Sequence, residues 1–428
     1  MKLTQRLTAA FAAILALMPA MAHAKPGVVD TGDTSWVLIS SALVLLMTPG
    51  LAFFYAGMVR SKNVVGTLAQ NMVALAVIGI LWVVVGYSVA FVGDQHGGFM
   101  GDFSAMMLNG VGMEPVMGQT VPGLAFMAFQ MMFAIITPAL MTGAFAERVN
   151  FKAWILVLIL WSLAVYSPVA HWVWGGGWLS KLGAQDFAGG FVVHMTAGFS
   201  ALVAAILIGK RNDATSKPYD TGMIVLGTSL LWFGWFGFNA GSALTAGGLA
   251  AHAFVTTFIS AAVAMLGWML VDKSKDGKPT LVGGCIGIVA GLVAITPAAG
   301  FVTVQSAMII GLLAGVLCNC VARAVKTKFG VDDTLDVFAC HGIGGLIGVV
   351  SVGIFGTAAI GGADGLMAGS SALLKTQLMG AGAVAVYAMV ATFVIIKLVG
   401  MLTPVRVSSV EESAGLDSTQ HGEVANHH

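Results

Sequence analysis

Long apolar stretches alternate with short polar breaks along nearly the whole chain. Each stretch approaches the roughly 20 apolar residues that an α-helix needs to cross the hydrocarbon core of a membrane. The stretches lie at about 35–58, 65–92, 122–146, 153–172, 190–209, 221–240, 251–271, 280–298, 304–322, 334–356 and 376–402. The pattern predicts an all-α membrane protein with eleven transmembrane helices.

The first apolar run differs from these stretches. Lys2 and Arg6 precede a short run that ends near Leu17, and Ala22-His23-Ala24 follows as a small-residue cleavage pattern. Since the run is too short to span a bilayer, we interpret residues 1–24 as a signal peptide. An uncleaved first membrane helix is the alternative.

Composition agrees with a membrane protein. Hydrophobic residues make up 58% of the chain and charged residues only 9%, whereas soluble domains carry about 25% charged residues. The net charge of +1 gives no electrostatic case for nucleic acid. We therefore expect one membrane domain at 25–402 and a polar cytoplasmic tail at 403–428. No catalytic, cofactor or metal motif is present, so we predict neither an enzyme nor a bound cofactor or metal.

Basic residues indicate the orientation. Fifteen of them lie in the breaks after the odd-numbered stretches or at the end of the last stretch. Only three lie at the start of the mature chain or in the breaks after the even-numbered stretches. The first group comprises Arg60, Lys62, Arg148, Lys152, Lys210, Arg211, Lys217, Lys273, Lys275, Lys278, Arg323, Lys326, Lys328, Lys397 and Arg406, and the second Lys25, Lys181 and Lys375. Because basic loops stay in the cytoplasm, the mature N-terminus should lie outside and the C-terminus inside.

Two short similarities indicate an internal repeat. Phe54-Tyr55-Ala56-Gly57 resembles Phe238-Asn239-Ala240-Gly241, and His194 and His341 are each followed by glycine four residues later. Five helices per half would place the second half inverted in the membrane, with a final helix added. Chance matches in a glycine-rich chain are the alternative.

His194 and His341 lie well inside predicted helices, where ionisable side chains are expensive and often functional. A neutral imidazole offers one hydrogen-bond donor and one acceptor. The pair could therefore guide a small polar solute, or relay a proton, through an apolar path. Two alternatives remain: satisfied structural histidines, and axial ligands of a membrane haem.

Aromatic side chains are predicted near the outer ends of several helices. Phe129, Phe133, Trp174 and Phe238 could present ring faces to a cation, and Ser242 could accept a hydrogen bond from it. An interfacial aromatic belt would produce the same residues.

The chain resembles the Amt/Mep/Rh ammonium transporters, specifically the bacterial Amt branch. The resemblance covers nearly the whole mature chain and its motifs are specific. They are the segments 49–57, 128–130, 146–148, 174–177, 186–190 with His194, 235–242, 332–333, 336–338, 341–342, 415–417 and 421–423.

The resemblance implies a path with assigned residues. From the outside inward it has a recruitment site, a phenylalanine gate and a histidine-lined pore, supported by one carboxylate. Phe129, Trp174 and Ser242 would form the recruitment site, and Phe133 and Phe238 the gate. His194 and His341 would line the pore, and Asp186 would be the supporting carboxylate. Ammonium would be recruited from the periplasm, lose its proton and cross as ammonia, while its proton could follow a separate path. Pro138 could kink the gate helix.

The resemblance also implies partners and a location. The family forms homotrimers in the bilayer, and the bacterial branch implies the inner membrane as the location. Family members are often blocked from the cytoplasm by a PII signal protein. An Rh-like neutral gas channel and an ammonium sensor that signals through its tail are the alternative functions.

Overall fold

The computed structural model describes residues 27–94, 96–116, 118–214 and 218–425. The segment interpreted as a signal peptide lies outside them. Within these ranges eleven principal helices follow one another. They are α1 Thr31–Met58, α2 Ser61–Phe91, α3 Gly123–Ala144, α4 Phe151–Lys181, α5 Gly190–Ile208, α6 Thr221–Gly241, α7 Gly248–Asp276, α8 Leu281–Ile295, α9 Val304–Thr327, α10 Phe338–Phe355 and α11 Ala372–Leu402.

The predicted all-α fold with eleven helices is confirmed. Of the eleven helices in the described ranges, ten are long and apolar enough to cross a membrane, and α8 is a shorter apolar helix. Most boundaries agree with the predicted ones to within about four residues. Helix α4 is the main exception, because its regular part ends at Val173 and a separate turn, Trp178–Lys181, follows.

The breaks after the odd-numbered helices meet on one face, which we call the inner face. There Glu147, between α3 and α4, forms ion pairs with Arg60 at 3.0 Å and with Arg211 at 3.1 Å. Arg211 also pairs with Asp332, which precedes α10, at 2.9 Å. These ion pairs bring predicted basic breaks together and connect the two halves of the chain on the inner face. The opposite face is called the outer face.

Arg148 connects the inner ends of three helices, α3, α5 and α10, by hydrogen bonds. Its side chain is fully buried and donates to the backbone oxygens of Ala144, Gly209 and Asp332 at 2.9, 2.8 and 2.6 Å. A buried guanidinium persists only when its donors are satisfied. Burial lowers the pKa of Arg148 to about 10, which still leaves it protonated at neutral pH.

Equivalent helices of the two halves pack against each other at glycines. Helix α1 contacts α6, where a Cβ on Gly227 would overlap the backbone of Phe54. Helices α5 and α10 cross at Gly198 and Gly342, where a Cβ on Gly198 would overlap the Gly342 backbone. Small residues allow such close approach of membrane helices. The crossing of α5 and α10 places their histidines side by side.

The polar tail lies on the inner face. It forms a short helix, α12 Ser409–Ala414, whose N-terminus carries a capping box between Ser408 and Glu411. The Asp417 carboxylate then accepts a hydrogen bond of 2.8 Å from the backbone N–H of Gly66, in the first turn of α2. The closing histidines 427 and 428 lie outside the described residues.

Candidate transport pathway

The two predicted pore histidines contact each other directly. Nδ1 of His194 and Nδ1 of His341 are 3.2 Å apart, and the ring centroids are separated by 5.3 Å with the planes at 28°. Both side chains are buried, with 1% and 3% exposure. In a shared Nδ1 hydrogen bond one neutral ring donates and the other accepts, so the two Nε2 atoms are one acceptor and one N–H donor.

Each histidine lies in a π-helical turn at the start of its helix. These turns are Gly190–Met195 in α5 and Phe338–Ile343 in α10. Such wide turns are rare and occur often at functional sites. Their appearance at equivalent places in both halves supports the predicted repeat.

Asp186 caps the helix that carries His194. Its carboxylate accepts four backbone hydrogen bonds, from Gly189, Gly190, Phe191 and Val192, at 2.8, 2.6, 2.7 and 3.3 Å. Burial raises the pKa of Asp186, and the four N–H groups oppose that rise. A carboxylate at this helix start is favoured by the helix dipole as well.

Asp333 repeats this arrangement at the start of α10. It accepts from the backbone N–H groups of Val337 at 3.1 Å and Phe338 at 2.8 Å. Burial, and next the charge of Asp336, raise the pKa of Asp333 to about 6. Asp333 receives no role from the apolar pattern, although the sequence contains a signal: each capping aspartate precedes its histidine by eight residues.

The predicted recruitment residues line one chamber near the outer face. This outer chamber has a volume of about 350 Å³, and its wall includes Phe129, Phe133, Trp174, Asp186 and Ser242. The Trp174 Nε1–H donates to the Asp186 backbone oxygen at 2.9 Å, which fixes the indole ring.

The two predicted gate residues contact each other beside this chamber. The rings of Phe133 and Phe238 have centroids 4.3 Å apart and planes tilted by 43°. Helix α3, which carries Phe133, remains α-helical through Pro138 to Leu140 and then ends in a 3₁₀ turn. The kink expected at Pro138 stays a prediction.

A much smaller apolar cavity lies between the gate and the histidines. Its volume is about 10 Å³, close to the space that one water molecule needs. His194, His341 and Phe238 line it together with aliphatic side chains from α1, α3, α6 and α8. So little room excludes a haem between the histidines.

An inner cavity of about 390 Å³ continues the path. It is lined by Val282 and Ile286 of α8, which share a helix face with Val289 of the small cavity. The charged side chains of Lys326 and Asp336, 2.8 Å apart, also line it. The outer chamber, gate, histidine pair and inner cavity thus succeed one another through the protein.

Trp235 completes the aromatic stack and was missed in the sequence. Its ring lies 5.6 Å from His194 at 21°, and its Nε1–H donates to Thr296 Oγ1 at 2.9 Å. The available signal was its position three residues before Phe238, since residues three apart share a helix face. Among the described residues, no three His, Cys, Asp or Glu side chains group as a metal site.

Comparison with known proteins agrees with the motifs. The model of the Ammonium Transporter Family matches residues 35–426. An ammonium transporter of Bacillus subtilis (strain 168) is 48% identical over 398 residues, covering 92% of this chain and 98% of that protein. The crystal structure of Saccharomyces cerevisiae Mep2 has a TM-score of 0.82 at 37% identity, covering 90% of this chain and 89% of Mep2. A solved Sensor Amt Protein has a TM-score of 0.85 at 29% identity, covering 91% and 98%. This chain belongs to the Ammonium Transporter Family.

Proposed function

We propose that this ammonium transporter recruits the ammonium cation in the outer chamber, removes one proton and conducts ammonia along His194 and His341 into the inner cavity. The observation that carries the proposal is the hydrogen-bonded histidine pair beside an apolar cavity of about 10 Å³. That cavity suits one small neutral solute and no hydrated ion.

Recruitment uses aromatic faces and one hydroxyl. Phe129 and Trp174 supply ring faces that attract a cation within about 6 Å. Ser242 already donates its hydroxyl hydrogen to the Phe238 backbone oxygen at 2.8 Å, so its lone pairs are left to accept a hydrogen bond from N–H. The buried Asp186 carboxylate adds a favourable negative potential.

Proton loss follows from the properties of the next cavity. A bare cation among aliphatic side chains would lose its hydration without compensation, which is strongly unfavourable. Ammonia has no such charge. The rings of Phe133 and Phe238 leave no open passage at a centroid distance of 4.3 Å, so one ring must rotate for each passage.

The histidine pair receives ammonia beyond the gate. Nε2 of His194 is buried and has no hydrogen-bond partner within the described ranges, so it offers a hydrogen bond to ammonia. Because both rings are neutral, they hold ammonia without binding it as tightly as a carboxylate would hold a cation. The proton can follow through the pair or remain outside, which distinguishes electrogenic from neutral transport.

Currents in proteoliposomes test this mechanism. We expect an inward ammonium gradient to produce a current with the wild-type chain and none with His194→Ala or His341→Ala. His96→Ala, an exposed histidine of the outer face, is the control and should retain the current. A wild-type current in His194→Ala would refute the pair-centred mechanism. Uptake without current in the wild type would favour the neutral gas channel.

We propose that the chain lies in a bacterial inner membrane, with residues 25–402 as the membrane domain and residues 403–428 as a cytoplasmic tail. The grouping of basic residues with the tail on the inner face supports this orientation. Fluorescent-protein and alkaline-phosphatase fusions to the C-terminus test it, since only the first should be active. An active phosphatase fusion would invert the orientation.

We also propose a homotrimer whose inner face binds a PII signal protein. The inner cavity, with Lys326 and Asp336 at its wall, offers charged groups to such a partner. Native mass spectrometry tests the trimer, and co-purification with PII tests the partner. The tail lies on the same face, which supports ammonium sensing as a second role. Growth on low ammonium with and without the tail would distinguish sensing from transport.

A further inference from the structure

The outer chamber is far larger than its proposed substrate requires. Its volume of about 350 Å³ lies within the range of pockets that hold small organic molecules, about 300–1,000 Å³. The cavity beyond the gate, at about 10 Å³, has space for one molecule of the size of water. A cation several times larger than ammonium therefore fits in the chamber and cannot follow the path inward.

The wall of the chamber is mostly aromatic. Seven aromatic side chains line it, and they include two edge-to-face pairs. Phe187 and Phe301 form one, with centroids 5.2 Å apart at 85°, and Phe91 and Phe126 form the other, at 5.1 Å and 82°. Rings at steep angles surround a space from several sides, which is the arrangement that recognises quaternary ammonium groups.

The polar groups of the wall favour positive charge. Asp186 is the one charged residue among those that line the chamber in the described part of the chain. The side-chain oxygen of Gln130 is buried and has no hydrogen-bond partner among the same residues. A carboxylate and a free amide dipole thus accompany the ring faces.

We propose that the outer chamber is a binding site for small quaternary ammonium ions, of which tetramethylammonium is the simplest. Such an ion has no N–H proton to lose, so the route proposed for ammonium is closed to it at the gate. It would occupy the recruitment site, block entry and compete with ammonium. This inference rests on the proposed recruitment of ammonium in the same chamber.

Binding is measured by titrating tetramethylammonium into the purified full-length protein by calorimetry. Inhibition is measured as ammonium current in vesicles of phosphatidylethanolamine and phosphatidylglycerol, which carry no choline headgroups. We expect saturable binding, inhibition that a higher ammonium concentration overcomes, and no current carried by tetramethylammonium itself. In the series from tetramethyl- to tetrabutylammonium, binding should weaken once the ion exceeds the chamber.

A matched pair of substitutions locates the site. Phe301→Leu removes one ring from the wall, and we expect about tenfold weaker binding of tetramethylammonium. Phe233→Leu makes the same change at a side chain that is 57% exposed on α6, outside the chamber, and should leave binding unchanged. If Phe301→Leu fails to fold, Phe187→Leu removes the other ring of the same pair.

The outcomes separate this inference from the proposed function. An ammonium current that tetramethylammonium does not inhibit, with no saturable binding, overturns the inference and leaves transport intact. Equal binding to both leucine variants and the wild type overturns it as well, because the ion would then bind elsewhere. Saturable binding with neither ammonium uptake nor ammonium current would instead refute the proposed transport mechanism.

Discussion

At the scale of single residues, Asp186 shows how a carboxylate at the start of α5 can fix the position of a histidine in the same helix. Its two oxygens accept all four N–H groups that the first turn of α5 presents. An asparagine would keep the shape but turn an amide N–H₂ toward two of these donors. The position of His194 therefore depends on a side chain eight residues earlier.

Asp186→Asn is expected to lower the free energy of unfolding by roughly 2 kcal/mol or more, since buried N–H donors lose their acceptor. Transport should fall together with stability, because the turn that holds His194 loosens. Thermal unfolding in detergent and ammonium current measure the two effects. Asp364→Asn, an exposed carboxylate near the outer face, is the control and should change neither.

The stack of Trp235 on His194 gives a second prediction for a single residue. Thr296→Val removes the acceptor of the buried indole N–H, which should destabilise the protein by about 1–3 kcal/mol and slow transport by releasing the ring. Thr296→Ser keeps the hydroxyl and should restore transport. Equal currents in all three proteins would show that the ring needs no such anchor.

The candidate site residues could be chosen from the sequence, whereas the residues that hold them in place could not. His194 and His341 could be found because histidine is unusual inside an apolar stretch. Trp235 and Asp333 could not be assigned by that criterion, since a tryptophan in a membrane helix and an aspartate in a polar break are both ordinary. Their spacing from Phe238 and His341 is a signal, but the contacts that they make become evident only in the three-dimensional ring stack and helix start.

At the scale of helices, the crossing of α5 and α10 brings the histidines within 3.2 Å. Hydrophobic length predicted both helices well, because the thickness of the membrane sets it. The wide π-helical turns around the histidines could not be predicted, since apolar periodicity assumes 3.6 residues per turn. The sequence around Pro138 does not predict the shape of α3 by itself, because neighbouring structure can support a proline in a membrane helix.

Gly198→Ala tests the crossing. The added Cβ would overlap the backbone of Gly342, so the helices must separate, and overpacking of this kind costs about 1–3 kcal/mol. Transport should be lost with the contact of the two histidines. Gly382→Ala in α11 is the matched control, because a Cβ there meets no atom within 4 Å. It should be neutral or stabilise by up to about 1 kcal/mol.

At the scale of the whole molecule, Glu147 joins the breaks of both halves on the inner face. Burial raises the pKa of this carboxyl, but the Arg60 backbone N–H and the guanidinium groups of Arg60 and Arg211 outweigh it, so the net pKa lies below the usual 4.5. Ionised Glu147 therefore contributes stability above pH 4.5. That contribution is lost as the pH falls through the lowered pKa of the folded protein.

Glu147→Gln is expected to lower the free energy of unfolding at pH 7 by about 3–5 kcal/mol, since Arg60 loses its buried carboxylate partner and Arg211 keeps only Asp332. The difference from the wild type should shrink below pH 4.5. Unfolding curves between pH 3 and pH 8 measure it. A gap that stays constant across this range would show that the charge of Glu147 contributes nothing.

The tail extends this connection across the inner face. Glu412 pairs with Arg406 at 2.7 Å and accepts from the backbone N–H of Asn212 at 2.6 Å, in the break between the halves. The backbone N–H of Leu416 donates to Asn63 Oδ1 at 2.8 Å, at the start of α2 and next to the break after α1. Folding of the tail thus holds two breaks that flank the inner cavity in one arrangement.

Deleting residues 408–428 should therefore lower the midpoint of thermal unfolding and reduce the ammonium current. The loop that carries Arg211 beside the inner cavity would lose its hydrogen bond to Glu412 of the tail. Asp417→Asn should give a smaller decrease of the same sign, since it weakens only the contact with α2. Val410→Ala, at a tail side chain that is 79% exposed, should change neither property. An unchanged or larger current after the deletion would mean that the docked tail restrains transport instead of supporting it, which would favour a regulatory role for the tail.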